Sequence, residues 1–497
     1  MIIEKLNKQK ILFWSFFALF GVVYTMQVVL NHYYFRTYAL DYGFYNQAFW
    51  DFAHFRLNAN TVFEPPLGNY FQVHPAFTLP LLSPLYWLFN PFFGTYSLLI
   101  IQNVFILLGG YGTYLLVIRK TDDFWIALLA FIHYNVLWGH FSALAADYID
   151  ATVVSSTMPW FFLLFDKKKF IPAGIVFLFV ITCKENMPIW FIFVALTLIL
   201  TYRDRTSRLV AAGLGIFSLL YLVLLFKVLI PGFENPDLKY WGFGYSALGD
   251  NPAEAIQHIF RHPIETARQM IENHSGDPEF NGIKIEFYIV FLLSGGVLLL
   301  IRPVYLIMFI PLVAQKMLND SFVRWGIMGF YSIEIVSVLT LAVFLATRKI
   351  GGTAFRYILY ALLCISTIRI TYLKMQERTA KYYDERKENF FSAVFYQTEN
   401  NAGKIRKQIE AAVPENANVC AMQDIVPHLA YRKDISVFPY VRNAEYLIFL
   451  LNGNPYPLKA DEYMSRIERY VNDPGWEEVV NDYPLVIFHN SSFTGME

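Results

Sequence analysis

Residues 76–93 read Ala-Phe-Thr-Leu-Pro-Leu-Leu-Ser-Pro-Leu-Tyr-Trp-Leu-Phe-Asn-Pro-Phe-Phe, and the arrangement of the whole chain turns on how they are read. The stretch is apolar and nearly long enough to cross a bilayer, which takes about 20 helical residues for ~30 Å of hydrocarbon. It carries Pro80, Pro84 and Pro91, with Pro75 just before it. Each proline removes a backbone donor and crowds the preceding turn, so the pattern predicts a broken interfacial helix and not a span. Counting it as a span would invert every later connection.

With 76–93 outside the count, about eleven apolar segments remain: 11–30, 96–118, 124–143, 151–165, 171–183, 187–202, 209–230, 285–301, 304–318, 327–347 and 353–372. Lys5, Lys8 and Lys10 precede the first. Arg119 and Lys120, Lys167 to Lys169, Arg203, Arg205 and Arg208, Arg302, and Arg348 with Lys349 then fall in every second connection. Short cytoplasmic loops carry the positive excess, so these connections are expected inside, with the N-terminus. The first segment reads as an anchor, because Asn31-His32-Tyr33-Tyr34-Phe35-Arg36 after it lacks the small residues of a signal-peptidase site.

Composition agrees. Of 497 residues, 56% are hydrophobic, 18% aromatic and 16% charged, more apolar surface than one soluble core can hide. Formal net charge is zero and no Cys/His cluster has zinc-site spacing, so a nucleic-acid partner is not expected. Cys183, Cys364 and Cys420 are too few and too scattered to imply a disulfide framework.

The expected architecture is an all-α polytopic membrane bundle over residues 1–372, with external loops 31–95 and 232–284, followed by a small soluble α/β domain over 373–497. In that tail a polar helical stretch (374–412) precedes strand-like runs at Val419 to Met422, Ile435 to Phe438, Tyr446 to Leu451 and Leu485 to Phe488, with a helix near 459–472. It contains no glycine fingerprint, P-loop or nucleophile elbow and is assigned no catalysis.

Acids in the external loops are the candidate chemistry. Asp41 lies in Leu40-Asp41-Tyr42-Gly43-Phe44-Tyr45-Asn46-Gln47-Ala48-Phe49-Trp50, and a carboxylate among aromatic side chains at a membrane face is costly to keep. It reads as a general base, a phosphate or sugar contact, or an N-cap for the helix that follows. His74, in Gln72-Val73-His74-Pro75, reads as a substrate contact or an interfacial histidine. Asp147 and Asp150, at i and i+3, share one face of a helical turn, where they can share a proton, ligate a divalent cation or cap the next segment. Thr182-Cys183-Lys184-Glu185-Asn186 sets three polar residues between two short apolar segments. Lys184 then suits a phosphate and Glu185 a sugar hydroxyl, against an ordinary loop ion pair. Glu334, near the external end of segment ten, and His133 and His140, on segment three, read as buried hydrogen-bonded residues. Tyr240-Trp241-Gly242-Phe243-Gly244-Tyr245 suits stacking on sugar rings and equally an interfacial aromatic belt.

These external acids, the odd number of segments and the external tail together resemble the GT-C superfamily of integral-membrane glycosyltransferases. More closely, the chain resembles a bacterial family of polytopic membrane proteins, a domain of unknown function near that superfamily. The stretches that carry the resemblance are Leu40 to Trp50, His74-Pro75 with Leu82-Ser83-Pro84-Leu85-Tyr86, Cys183-Lys184-Glu185-Asn186, Val413-Pro414 through Val419, and Pro427-His428-Leu429 to Phe438-Pro439. The resemblance implies transfer of a sugar from a polyprenyl-phosphate donor to a lipid, glycan or protein acceptor, outside the cytoplasmic membrane of a bacterium. It makes Asp41 the base and Lys184 or Arg56 the partner of the departing phosphate. The family's acid-aromatic-His-Pro-Glu pattern is met here only by Asp147-Tyr148. Ile149-Asp150-Ala151 departs from it, which puts the weight on Asp147. Superfamily members differ in using a divalent cation, so no residue is assigned as a metal ligand. A lipid or glycan transporter and a non-catalytic envelope scaffold are the competing functions. Transporters gather polar groups at the midplane of broken helices, whereas here the acids collect on one side.

Overall fold

The computed structural model describes residues 2–57, 60–62, 69–73, 75–233, 243–379, 383–398 and 400–493. His74 and Tyr240-Trp241-Gly242 lie outside the described residues. The apolar segments are largely helical, although segment 327–347 becomes helical only at Ile333. Among the described residues, five helical runs are long and apolar enough to cross a membrane: Asn7–Tyr33, Thr78–Thr121, Phe124–Ala145, Arg205–Phe233 and Thr353–Gln376. Phe170–Ile181, Met187–Thr201, Pro303–Met317 and Ile333–Thr347 are shorter apolar helices.

From Thr78 the stretch 76–93 is helical and continues into the run that ends at Thr121, alternating α and 3-10 geometry with Pro80 and Pro91 inside α-helical pieces. It forms helical pieces Thr78–Leu82, Ser83–Leu85 and Tyr86–Phe93, and the chain turns at Gly94, whose φ of +51° suits glycine. Leu79, Leu82 and Tyr86 are buried, while Leu81, Trp87, Leu88 and Phe92 face outward. That two-sidedness is what an apolar helix at an interface needs.

Helix Ser97–Thr121 runs through the centre of the bundle. A Cβ on Gly109 would lie 2.3 Å from the Tyr134 hydroxyl and 2.6 Å from the Ser156 carbonyl, so only glycine permits this approach. Close approach matters here because lipid supplies no hydrophobic drive for helix association. Several segments are broken. Leu137, with ψ of 134°, separates Phe124–Val136 from Trp138–Ala145, and segment 151–165 is Asp150–Ser155 followed by Met158–Asp166.

The C-terminal region builds one five-stranded sheet from β1 (Val419–Ala421), β2 (Ile435–Val437), β3 (Tyr446–Leu450), β4 (Trp476–Asp482) and β5 (Leu485–Asn490), in the order β2-β1-β3-β5-β4. β1 pairs parallel with β2 and β3, and β5 pairs antiparallel with β3 and β4. The first three strands are fully buried apolar runs. β4 is the strand the sequence hides: Glu477, Glu478, Asn481 and Asp482 give it a polar reading, which suits an exposed, bulged edge.

The expected helical stretch 374–412 is a correction. Among the described residues of 377–412, only Glu385–Glu388 and Ala402–Ala412 are α-helical, because residues 383–398 spread over the helical body. Arg36 donates to the Phe395 carbonyl at 2.7 Å, to Gln397 at 2.6 Å and to Arg386. Elsewhere along the same seam, the Ala39 N–H donates to Gln423 at 3.2 Å and Asn46 to the Pro427 carbonyl at 3.2 Å. The loop after the first helix is therefore clamped between the bundle and the sheet.

Candidate functional site

Asp41 sits in a wide helical turn, Ala39–Gly43, held from both sides. The Gly43 N–H donates to Tyr38 at 3.1 Å, buried Tyr42 donates its hydroxyl to the Thr95 carbonyl, and a Cβ on Gly43 would meet Val426 at 2.9 Å. The following helix, Phe44–Ala53, is capped at Gly43 with no side-chain cap bond, so Asp41 is not its cap. The Asp41 side chain is open to water, and its carboxylate pairs with no described residue. Protein nevertheless surrounds the recess. That longer-range desolvation, with a smaller push from Asp147 against the pull of Lys387, raises the carboxyl to about 6.

Asp147 is built the opposite way. Its backbone takes a left-handed φ of +71°, which an Asp tolerates better than most residues. Its carboxylate accepts from Lys387 at 2.9 Å and from the Tyr38 N–H at 3.1 Å. Gln102 fixes the main chain, donating to the Asp147 carbonyl at 3.0 Å and accepting the Ile149 N–H at 3.1 Å. Burial pushes the Asp147 carboxyl up against the pull of Lys387 and Tyr38; at Lys387 burial pulls the ammonium down, and Asp147, Tyr38 and Asp41 together hold it above the ordinary lysine range. The two directions favour opposite charge states. We take the pair as ionic, because a buried lysine this close to a carboxylate keeps the proton.

Asp150 is buried and accepts from Tyr70 at 2.9 Å and Tyr148 at 2.8 Å. Its helix is capped at Ile149 without a side-chain bond, so capping is not its role either. Asp147 and Asp150 thus have separate roles, the first meeting an ammonium and the second two phenols. Among the described residues no three His, Cys, Asp or Glu side chains converge as a metal site. Lys387 already neutralises Asp147, which makes that carboxylate a poor ligand for a divalent cation.

The Lys184-Glu185-Asn186 turn lines a cavity of about 290 Å³ together with Lys316, Arg324 and Glu334. Lys184 Nζ lies 5.6 Å over the Phe330 ring, and Lys316 Nζ 5.1 Å over Phe287 while donating to the Tyr331 carbonyl at 3.3 Å. Leu222, Phe226 and Leu312 make the walls apolar. Tyr45 links this turn to the first recess: burial raises its hydroxyl first, and Asp150, Asp41, Cys183 and Glu185 add to the rise. On the other side of Tyr38, a polar cleft of about 580 Å³ runs between the bundle and the sheet, lined by Arg36, Asp424, Asn400, Asn452 and Asn454.

The structure therefore brings Asp41, Asp150 and Glu185 of the Lys184-Glu185 turn near Tyr45, with Asp147 beside Asp41. Arg56 is not among them. It lies past the far end of helix Phe44–Ala53, exposed, 5.0 Å over Trp50. His133 donates or accepts with Thr340 at 2.8 Å, as a buried structural histidine would. Sequence reasoning missed Lys387, Lys316, Arg324, Gln102 and Tyr70. Only Lys316 left a signal, a lone lysine inside an apolar segment.

A family model described as "Predicted membrane protein (DUF2079)" matches residues 31–468. The chain belongs to that family. The DUF2079 match contains every residue of the site just described, from Asp41 to Lys387 and on to Asn454. No curated protein matches the chain. Among solved structures it is similar to the crystal structure of the Archaeoglobus fulgidus oligosaccharyltransferase in complex with zinc and sulfate, at 13% identity and a TM-score of 0.37, over 88% of this chain and 68% of that one.

Proposed function

We propose that this DUF2079 protein is a GT-C-type glycosyltransferase that moves a sugar from a polyprenyl-phosphate donor to an acceptor hydroxyl on a lipid, glycan or protein. In this reading residues 1–372 form an eleven-span body in a bacterial cytoplasmic membrane, with the N-terminus inside. Residues 373–497 form an external α/β domain. The observation that carries the reading is Asp41: a solvent-open, unpaired carboxylate raised to about 6, held by a clamped turn beside a cavity that combines cations with apolar walls.

The chemistry follows from the placement. The donor phosphate lies against Lys184, Lys316 and Arg324, with its prenyl chain along Leu222, Phe226 and Leu312. The acceptor enters by the polar cleft beside Tyr38. Asp41 takes the proton of the acceptor hydroxyl as that oxygen bonds to the anomeric carbon. The bond from that carbon to the phosphate oxygen breaks, and the phosphate leaves with the electron pair, neutralised by the three cations. Asp147 acts through Asp41, its charge keeping the base's affinity for a proton high, while Lys387 and Tyr38 hold Asp147 in place. Asp150, Glu185 and His74 are assigned to sugar hydroxyls. Arg56, stacked on Trp50, is left without a role in this scheme.

The test is a membrane assay with labelled polyprenyl-phosphate sugars, comparing wild type with Asp41→Asn. Transfer by the wild type that is lost in the variant is expected. Transfer unaffected by the substitution removes Asp41 as base, and no transfer from any donor favours a transporter or scaffold. Reporter fusions at Thr121 and Asn400 test the orientation, expected inside and outside respectively.

A further inference from the structure

A second cavity, of about 180 Å³, lies at the other end of the bundle and plays no part in the proposed transfer. Helix Ser97–Thr121 gives the separation. Its first residues follow Thr95, which accepts from Tyr42 beside Asp41, and Lys120 at its last turn lines the second cavity. At 1.5 Å per residue the two ends are about 35 Å apart. The cavity gathers Lys120, Arg203, Arg302 and Arg348, four cations from four separate connections of the chain.

Of the nearby acids, Asp166 holds Lys120 and Tyr202 at the cavity wall, and Asp204 is engaged outside it. Asp166 accepts from Arg119 at 2.9 Å, from Lys120 and from the Tyr202 hydroxyl at 2.8 Å. Asp204 accepts from the Ser207 N–H and hydroxyl at 3.0 Å and lies 3.4 Å from Lys168. Arg203, Arg302 and Arg348 form no ion pair with a described acid; Arg302 instead lies 5.5 Å over the Tyr305 ring. Three guanidinium groups, none of them paired to a described carboxylate, line one cavity, and each presents a planar fork of donors. The inner walls, among them Phe162, Leu198 and Met308, are apolar.

The positive-inside pattern explains basic residues on this face but not their convergence. Arg205 and Arg208 satisfy that pattern as exposed side chains outside the cavity, whereas Arg302 and Arg348 are half-buried within it. The geometry points to a phosphate-binding site formed by Arg203, Arg302 and Arg348, which takes a phosphate mono- or diester group. The apolar walls suit a phospholipid headgroup with its chain, and the same cations suit a soluble phosphate. The site is independent of the glycosyltransferase reading.

Binding decides it. Full-length protein is reconstituted in nanodiscs of phosphatidylcholine mixed with phosphatidic acid, and retained phosphatidic acid is quantified by native mass spectrometry. The triple variant Arg203→Gln/Arg302→Gln/Arg348→Gln is expected to weaken retention about a hundredfold, at roughly fivefold for each cation removed. Arg205→Gln/Arg208→Gln is expected to behave as wild type. Inorganic pyrophosphate is then titrated against wild type and variant. Loss of lipid in the triple variant without pyrophosphate binding to wild type assigns a lipid headgroup. Pyrophosphate binding that only the triple variant loses assigns a soluble phosphate. Equal retention of lipid and equal pyrophosphate binding by both proteins overturn the site. Should the triple variant fail to fold, thermal stability of the wild type decides: stabilisation by phosphatidic acid or pyrophosphate beyond phosphatidylcholine or chloride supports the site, and none with either overturns it.

Discussion

Asp41 and Asp147 share one recess and are built to opposite rules. Around Asp147 the polar groups answer one another: Lys387 and the Tyr38 N–H take the carboxylate, and Gln102 takes the main chain on both sides. Around Asp41 the main chain is clamped just as firmly, yet the carboxylate faces water with no protein partner among the described residues. A closed network sets position, and an open charge is left to react. Asp41→Asn removes this contrast most directly, because it keeps the shape and deletes the base. Transfer should fall by about 10²–10⁴-fold, the usual worth of a positioned acid–base group, with donor retention little changed. A comparable loss of donor binding would instead place Asp41 among the binding groups.

Lys387→Met attacks the other side. It leaves Asp147 buried and uncompensated, and such a loss costs about 3–5 kcal/mol. Thermal unfolding in detergent should show it. Adding Asp147→Leu should return most of the stability, since replacing both members of a buried pair is often near neutral. A double variant as unstable as the single would mean that the segment 383–398, and not the ion pair, holds the seam.

How much of this was legible follows from the same contrast. Asp41, Asp147, Lys184 and Glu185 stand out because charge among apolar residues is conspicuous in one dimension. The short 3-10 piece at Ser83–Leu85, around Pro84, is local backbone chemistry of the kind a sequence shows. Lys387 is not legible in this way. It lies in Glu385-Arg386-Lys387-Glu388, a run that reads as a solvated helix, and its role comes from a pairing across 240 residues of chain. Gln102 and Tyr70 are hidden for the same reason, since nothing local marks which carbonyl or carboxylate they meet. β4 was missed because an exposed edge strand needs no apolar alternation. The tail was divided from the bundle by composition, but Arg36, Asn46 and Ala39 tie the two together through groups that composition does not report.

The titration of Asp41 probes the same contrast at smaller scale. Its carboxyl is raised to about 6, and the ionised form is the base, so activity should rise with pH through that value and fall about tenfold one unit below it. A pH profile of donor turnover gives the limb. The stability sign is opposite: a carboxyl raised on folding favours the folded state when protonated, so this contribution is lost as pH rises from about 4 to 6. Lys387→Met removes a cation that now lowers the Asp41 value, so the acid limb should move upward in that variant. A limb that stays in place would show that Asp41 and the Asp147–Lys387 pair are not coupled.

The smallest effect belongs to Asp150, which lies between the two rules. It is buried like Asp147 but meets neutral hydroxyls, Tyr70 at 2.9 Å and Tyr148 at 2.8 Å. Tyr70→Phe removes one donor and leaves the ring stacked on Phe44, whose centroid is 5.2 Å away. Losing one hydrogen bond to a carboxylate should cost about 1–2 kcal/mol of stability. If Asp150 serves the fold alone, turnover per folded molecule should not change. If it orients a sugar hydroxyl, KM for the donor should rise while kcat holds, because the contact is made in the ground state as well as in the transition state. Tyr148→Phe provides the matched measurement on the other oxygen, and unequal KM effects would identify which carboxylate oxygen of Asp150 the substrate uses.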